Sequence, residues 1–271
     1  MKCGLIFTLM VLAVFRGFSQ DTTITLENKS KPVILNKITS PSNKTKSIGY
    51  ENEFSMGGKL STTGWSIFGD YTKDINLDKK RVYYFELGFI NDPKEAKRVN
   101  EFTIGPESPK PFIYGKQNSF FNLKAALGQK LMIGEKAEKS GFQVSFNYAG
   151  GVSAGFIKPY YLEIFNTTGE TSDLTRAIKY TPETESLFLD ATSIYGASGF
   201  SIGFNEIKFA PGIFAKSGFN FDWATYDDFV KSMEVGLGTE VYLKEIPILI
   251  SENNKPYFVY LYLSLQFGKK W

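Results

Sequence analysis

The strongest constraint on the fold of this chain is an alternation of apolar and polar residues with a period of two. In its last segment one face carries six apolar residues, at Tyr257, Val259, Leu261, Leu263, Leu265 and Phe267. The opposite face carries tyrosine, serine, glutamine and glycine. Because successive side chains of a strand point to opposite faces, this pattern predicts a β-strand with one apolar face.

The same alternation recurs from residue 48 onward and predicts eight strands. They cover residues 54–60, 65–71, 83–89, 121–131, 142–152, 207–219, 233–243 and 257–267. The expected inner turns are short, at 74–80, 134–140 and 220–229, and the expected outer connections are 61–64, 92–117, 166–200 and 246–255. This arrangement predicts an all-β, antiparallel, up-and-down transmembrane β-barrel of eight strands. Ten strands is the alternative if the segment 141–165 bends at the Gly150-Gly151 pair or at Pro159.

The direction in which the apolar faces point separates a membrane barrel from a soluble β-domain. Several faces cover the roughly 9–11 residues that a tilted strand needs to cross a bilayer. Aromatic residues lie near their ends, as with Tyr83 and Phe89, where membrane interfaces collect them. These features favour lipid outside the barrel. A secreted soluble barrel or sandwich, with its apolar faces turned inward, is the alternative.

The N-terminus has the pattern of an export signal. Lys2 precedes an apolar run at 5–15, and Gly17-Phe18-Ser19 offers the small residues of a cleavage site. We therefore expect a signal peptide at 1–19, a polar periplasmic segment at 20–47 and the barrel at 48–271. Cys3 is the only cysteine, so the exported protein is expected to contain no thiol and no disulfide.

The residue composition argues against catalysis and nucleic-acid binding. The chain contains no histidine, which excludes Ser-His-Asp and Cys-His sites and removes the commonest zinc ligand. The cluster of Asp222, Asp227 and Asp228 lacks the order of a calcium loop, and a solvated turn is the better interpretation. A net charge of +3 is too small to indicate a nucleic-acid partner. We predict no catalytic, cofactor or metal site.

The polar face of the strands predicts the content of the barrel interior. The expected interior charges nearly balance, at Glu53, Lys59, Asp70, Glu86, Lys124, Lys130, Lys208, Lys216, Glu234, Glu240 and Lys244. An eight-stranded barrel is just wide enough for side chains to fill it. Since an unpaired charge in such a space is costly, these residues are expected to pair with one another rather than line a channel.

The C-terminal residues YLYLSLQFGKKW form an alternating strand that reaches the last residue. This resembles the terminal-strand signal of outer-membrane barrels, here represented by Leu263, Leu265, Phe267 and Trp271. With the Gly-Phe-Ser-Gln processing site and the Gly- and Phe-rich strands, residues 48–271 resemble the porin-family barrels of Bacteroidota-type outer membranes. The resemblance implies a multi-pass protein of a Gram-negative outer membrane, surrounded by lipid and inserted by the outer-membrane assembly machinery.

The expected function is non-enzymatic. A filled barrel suits a structural or accessory subunit of an outer-membrane assembly, with a protein partner in the membrane or at the outer loops. The apolar residues 187–189 within the long loop 166–200 either pack on the protein itself or contact that partner. Porin-like transport of small solutes is the alternative, and it requires a wider barrel or a mobile plug.

Overall fold

The computed structural model describes residues 51–76, 78–101, 108–134, 142–165, 175–224, 228–250 and 254–271. The predicted signal peptide and the segment 20–47 lie outside the described residues. No helix in the described ranges is both long and apolar enough to cross a membrane.

Thirteen strands and one short α-helix, α1, make up most of the described chain. The strands are β1 (Asn52–Ser61), β2 (Gly64–Asn76), β3 (Lys79–Ile90), β4 (Lys97–Arg98), β5 (Phe112–Ile113), β6 (Asn118–Gly134), β7 (Gln143–Pro159), β8 (Tyr161–Phe165), β9 (Thr175–Lys179), β10 (Ile194–Ala197), β11 (Lys208–Asp222), β12 (Phe229–Tyr242) and β13 (Tyr257–Lys270). α1 spans Glu185–Phe188, and a 3₁₀ turn covers Phe204–Glu206.

Eight of these strands close into one antiparallel barrel in the order β1-β13-β12-β11-β7-β6-β3-β2. Each pairs with its neighbours along the chain, and β1 pairs with β13 to complete the ring. The prediction of an eight-stranded up-and-down barrel is confirmed, and the ten-stranded alternative is wrong. All eight predicted segments lie within or overlap the barrel strands.

The two expected break points in the segment 141–165 have different outcomes. β7 runs without interruption through Gly150 and Gly151, and a side chain at Gly151 would place its Cβ 2.0 Å from the carbonyl oxygen of Ala125. Glycine at this position therefore serves close approach of β6 rather than a bend. The chain turns at Tyr160 instead, directly after Pro159, and continues into β8.

The outward face of the barrel is apolar and the inward face is polar. On β13 the exposed fraction is 61% for Val259, 58% for Leu261 and 61% for Phe267, whereas Ser264 and Gln266 are buried inside. The apolar faces thus point away from the interior, the reverse of a soluble β-domain. The fold is that of a transmembrane barrel.

Aromatic side chains cluster on the outside of the barrel at both ends. Near the end of the barrel that carries the long connections, which we call the outer end, the Phe89 ring lies 6.3 Å from Trp65 and 4.9 Å from Phe121. Near the inner end the Tyr71 ring lies 5.9 Å from Tyr83 and 6.4 Å from Trp271. Such paired girdles mark the two interfaces of an outer-membrane barrel.

Outside the barrel, the long outer connections fold into a small structure that we call the outer cap. It contains a three-stranded sheet in the order β10-β8-β9, the helix α1 and the pair β4-β5. Its apolar core consists of Phe112, Leu162, Ile164, Ile178, Phe188 and Ile194. The expectation that 166–200 lacks strands is wrong, because β9 and β10 lie within it. Both strands are short, and they pair with β8 rather than with each other. Phe188 is fully buried in this core, so the apolar residues 187–189 pack partly on the protein itself, while Leu187 stays 40% exposed.

Candidate functional site

The barrel interior collects most of the charged residues that the alternation placed there. Nine of the eleven are buried inside the barrel: Glu53, Lys59, Asp70, Glu86, Lys124, Lys130, Lys216, Glu234 and Glu240. The placement is wrong for Lys208 and Lys244, which are exposed. Lys208 is the first residue of β11 at the outer rim, and Lys244 lies beyond the end of β12. Both positions follow the alternation but are outside the packed part of the barrel.

The centre of the interior is built around Glu86 of β3. Its carboxylate lies 2.5 Å from the ammonium of Lys59 and 3.1 Å from that of Lys124, and it also accepts a hydrogen bond from the Tyr84 hydroxyl. The register places these groups together, because β3 pairs with β6 so that Glu86 lies opposite Lys124. One carboxylate therefore satisfies two cations from neighbouring strands.

Lys124 links this centre to the opposite wall of the barrel. Its ammonium also forms an ion pair with Glu240 of β12. Glu240 accepts two further hydrogen bonds, from the Asn122 amide at 2.8 Å and the Tyr242 hydroxyl at 2.6 Å. The ammonium of Lys124 lies 3.4 Å from the Tyr260 hydroxyl. The network thus connects opposite walls of the barrel through the middle of the interior.

A second cluster lies around Glu234, nearer to the inner end. Its carboxylate pairs with Lys216 at 3.3 Å and accepts hydrogen bonds from the Tyr262 hydroxyl and the Asn147 amide, each at 2.7 Å. The Lys216 ammonium also stacks over the Tyr84 ring, 3.8 Å from its centroid, which joins this cluster to the centre.

The innermost part of the barrel contains further pairs. Glu53 lies 3.3 Å from Lys80 and 4.0 Å from Lys130, and Lys270 lies 3.4 Å from Asp222. The predicted interior set did not include Lys80, Asp222 or Lys270. Continuing the alternation of β11 and β13 to the strand ends would have placed Asp222 and Lys270 inside. Asp222 thus belongs to the interior and not to a solvated turn, and Asp227 lies outside the described residues.

Among the interior carboxylates that the structure describes, only Asp70 has a buried oxygen atom without a hydrogen-bond partner. It is 4% exposed, and its Oδ1 atom has no hydrogen-bond partner. The carboxylates of Glu86, Glu234 and Glu240, by contrast, pair with lysine and accept hydrogen bonds from tyrosine or asparagine. A buried polar atom without a partner is destabilising, so Asp70 lowers the stability of the interior.

The outer mouth of the barrel is closed by the connection between β12 and β13. Ile246 and Ile248, in the segment 245–250 that we call the outer plug, pack on Ile90, Phe120 and Tyr242 of the barrel wall. The backbone N–H of Gln117 donates to the Ile248 carbonyl at 2.8 Å, and the Asn118 amide donates to the Pro247 carbonyl at 2.6 Å. The plug is therefore held by both apolar contacts and hydrogen bonds.

The cavity beside the central ion pairs of this interior is small. The cavity lined by Lys59, Glu86 and Lys124 has a volume of about 10 Å³, roughly the space of one water molecule. Two larger cavities, of about 240 and 380 Å³, lie outside the interior, on the flank and at the rim of the outer end. In the described ranges, no group of three or more Cys, Asp or Glu residues is placed to hold a metal ion.

The residues of the predicted insertion signal lie on and after the last strand. Leu263, Leu265 and Phe267 are 42%, 47% and 61% exposed on the outward face of β13. Trp271 follows the strand, and its backbone N–H donates to the Asn52 carbonyl at 3.0 Å. These residues therefore lie at the seam where β13 meets β1. Their role in insertion stays a prediction.

Comparisons with known proteins find similarity in structure only. No protein-family model and no curated protein sequence matches the chain. Similar solved structures include Ail, the attachment invasion locus protein of Yersinia pestis, in complex with the heparin analogue sucrose octasulfate, at 10% identity, 81% of this chain, 97% of that chain and a TM-score of 0.38. Neisserial surface protein A matches at 8% identity, 81% of this chain, 95% of that chain and 0.36. The N-terminal β-barrel domain of Pseudomonas aeruginosa OprF matches at 9% identity, 82% of this chain, 99% of that chain and 0.36.

Proposed function

We propose that this protein is a non-enzymatic barrel of a Gram-negative outer membrane that acts as a structural or accessory subunit of an assembly there. The observation that carries the proposal is the closed interior, which is crossed by the network from Glu86 to Glu240 and covered by the outer plug. A barrel with no open lumen can anchor and present other parts of an assembly, but it does not let solutes through.

Porin-like transport has less support from the same observations. A solute path would require the ion pairs of Lys124 to open, since they connect opposite walls. It would also require the outer plug to leave its contacts with Phe120 and Tyr242. Breaking buried ion pairs while exposing apolar side chains is costly on both counts.

The outer cap supports a role in presentation. It has its own apolar core, and its segments are joined to one another by hydrogen bonds, such as that from the Asn100 amide to the Ile194 carbonyl at 2.6 Å. Leu187 projects from this ordered structure with 40% of its side chain exposed. A rigid outer surface with an apolar residue at its edge suits a protein partner more than free solvent.

Site-specific cross-linking in isolated outer membranes tests the accessory role. The variant Leu187→Cys carries a cross-linker on the cap, and the variant Lys244→Cys, at an exposed position just beyond the end of β12, carries the same reagent as the matched control. If the signal peptide is removed, each introduced thiol is the only one in the protein. The proposal predicts one recurrent protein adduct from Leu187→Cys in near-stoichiometric yield, and none or a different one from Lys244→Cys.

Two results would contradict this function. Recovery of the protein without any adduct from either position, and alone in a mild-detergent pull-down, would remove the accessory role. Extraction from membranes by carbonate alone would contradict the proposed location in the membrane.

A further inference from the structure

Lys158 occupies an unusual position on the outward face at the outer end of the barrel. Its neighbour Ile157 belongs to the apolar cluster inside the barrel, so Lys158 points to the opposite side of β7. Ser119 of β6 pairs with it in the register and shares that face, because Phe120 points inward. Directly below them on the same face lies the aromatic pair Phe121 and Phe156. The lysine therefore lies just outside the apolar belt, at headgroup level.

Lys158 is almost completely buried, and in the described part of the chain it has no hydrogen bond or carboxylate partner. It is 4% exposed, because the segment after β10 folds back over it. Its ammonium lies 5.0 Å from the centroid of Phe200 and 5.2 Å from that of Phe204. Two aromatic faces thus hold the cation in place but provide no acceptor for its protons.

Lys158 lines a cavity of about 240 Å³. Lys97, Ser119 and Ser198 also line it, and the described lining contains no Asp or Glu. The Ser198 hydroxyl oxygen is buried and has no hydrogen-bond partner among the described residues. Two residues able to donate, Lys158 from strand β7 and Ser198 from the segment after β10, therefore line one cavity, and neither side chain makes a hydrogen bond within the described part of the chain. Buried donors in proteins are normally paired.

We propose that this cavity binds the phosphate group of a lipid in the leaflet around the outer end of the barrel. A phosphate supplies several acceptor oxygens and negative charge, which match the Lys158 ammonium and the Ser198 hydroxyl. The lipid tails would lie along the apolar outer face below, beside Phe121 and Phe156. Phe200 and Phe204, 64% and 47% exposed, flank the site at the level where aromatic side chains meet lipid. The inference depends on the proposed membrane location.

The binding of phosphatidic acid to the full chain in detergent micelles, measured by native mass spectrometry, tests this site. Diacylglycerol is the matched ligand without a phosphate. The variant Lys158→Met retains the apolar part of the side chain but removes its charge. Lys208→Met is the control, since Lys208 is an exposed lysine at the same end of the barrel. Heat-modifiable migration in gels shows that each variant retains its barrel.

The site predicts that the wild-type protein retains one phosphatidic acid and that Lys158→Met weakens its binding by about tenfold or more. Lys208→Met should bind as the wild type does, and diacylglycerol should not be retained at this site. The variant Ser198→Ala removes the second donor and should weaken binding by a smaller factor, which keeps the test available should Lys158→Met not fold.

Equal retention of phosphatidic acid by the wild type and both pocket variants would overturn the proposal. Equal retention of diacylglycerol would show that the phosphate is not recognised. If inorganic phosphate displaces the lipid at equal concentration, the site belongs to a free anion and the lipid assignment is wrong. Because these measurements use detergent, they are independent of carbonate extraction and cross-linking, which test the proposed function.

Discussion

The barrel interior and the outer cap bury opposite kinds of side chain. Inside the barrel the buried groups are ionic, with Lys124 placed between Glu86 and Glu240. Inside the cap they are apolar, with Phe188 at the centre and fully buried. The difference reflects the medium outside each region. The barrel turns its apolar side chains toward lipid and must satisfy polar ones within, whereas the cap faces water and hides its apolar side chains.

The barrel and the cap are stabilised by different kinds of contact. In the barrel, backbone hydrogen bonds close the ring and the interior charges hold one another across it. In the cap, stability depends on packing around a few apolar residues from β5, β8, β9, β10 and α1. A substitution should therefore have different consequences in the two regions, even when it removes a similar volume.

The largest effect is expected from Lys124→Met. Removing this ammonium leaves Glu240 without its ion pair and Glu86 with Lys59 alone, in an interior closed to bulk water. We expect the free energy of unfolding of the barrel to fall by about 3–5 kcal/mol. Urea unfolding in lipid vesicles measures it. The double variant Lys124→Met with Glu240→Gln should lose less than the sum of the two single variants, and additive losses would show that the pair is not coupled.

A charge on the lipid-facing side should have the next largest effect. Val152 lies midway along β7 and is 63% exposed on the outward face. We expect Val152→Arg to lower the stability of the barrel in vesicles by about 2–4 kcal/mol. Leu187→Arg on the water-facing cap is the control and should change it little. Similar small losses for both variants would mean that Val152 does not face lipid.

Truncation in the cap core should leave the barrel intact. Phe188→Ala creates a cavity among Leu162, Ile178 and Tyr180, and we expect the cap to open locally. Limited proteolysis should then cut the cap faster than in the wild type, while heat-modifiable migration of the barrel remains. Loss of both together would show that the two regions unfold as one unit.

The smallest effect concerns the exposed ion pair between Lys179 and Glu206, whose charged atoms lie 2.5 Å apart. The hydrogen bond from Lys179 lowers the pKa of Glu206, and the same bond raises the pKa of Lys179. The carboxylate's contribution is therefore present above its unfolded pKa and lost as the pH falls through the lowered folded value. The stabilising contribution of Lys179 is present below its own unfolded pKa and is lost as the pH rises through the raised folded value.

Amide exchange over residues 204–208 checks this prediction. The wild type should be slightly better protected than Glu206→Gln at neutral pH, and the two proteins should become equal under acid conditions. A difference that persists in acid would have another cause. Comparing the two proteins at one pH cancels the intrinsic dependence of exchange on pH.

The barrel was predictable from the sequence because its signal is local. Period-two alternation, as in Tyr257 to Phe267, follows from strand geometry and needs no knowledge of distant contacts. It also placed Glu86, Lys124 and Glu240 on inward faces. The errors at Lys208 and Lys244 arose where the alternation was continued beyond the packed part of the barrel, since parity alone does not show where the interior ends.

The features that sequence reasoning missed depend on contacts between distant segments. Nothing in the residues around Ile246 and Ile248 indicates that they close a barrel mouth, because their partners include Ile90 and Phe120. The cap sheet likewise joins short strands far apart in the chain. The burial of Lys158 depends on Phe200, which comes from the segment after β10. Local sequence patterns cannot predict such contacts between distant segments.

The most direct test of the account is a recording of single-channel conductance from the purified, heat-modifiable protein in planar bilayers. The filled interior and the outer plug predict no stepwise conductance from the wild type. Removing the plug's apolar contacts with Ile246→Ala and Ile248→Ala should leave the bilayer silent as well, because the network between Glu86, Lys124 and Glu240 still crosses the interior. Sizeable, reproducible steps from the wild-type protein would contradict the closed barrel and favour transport instead.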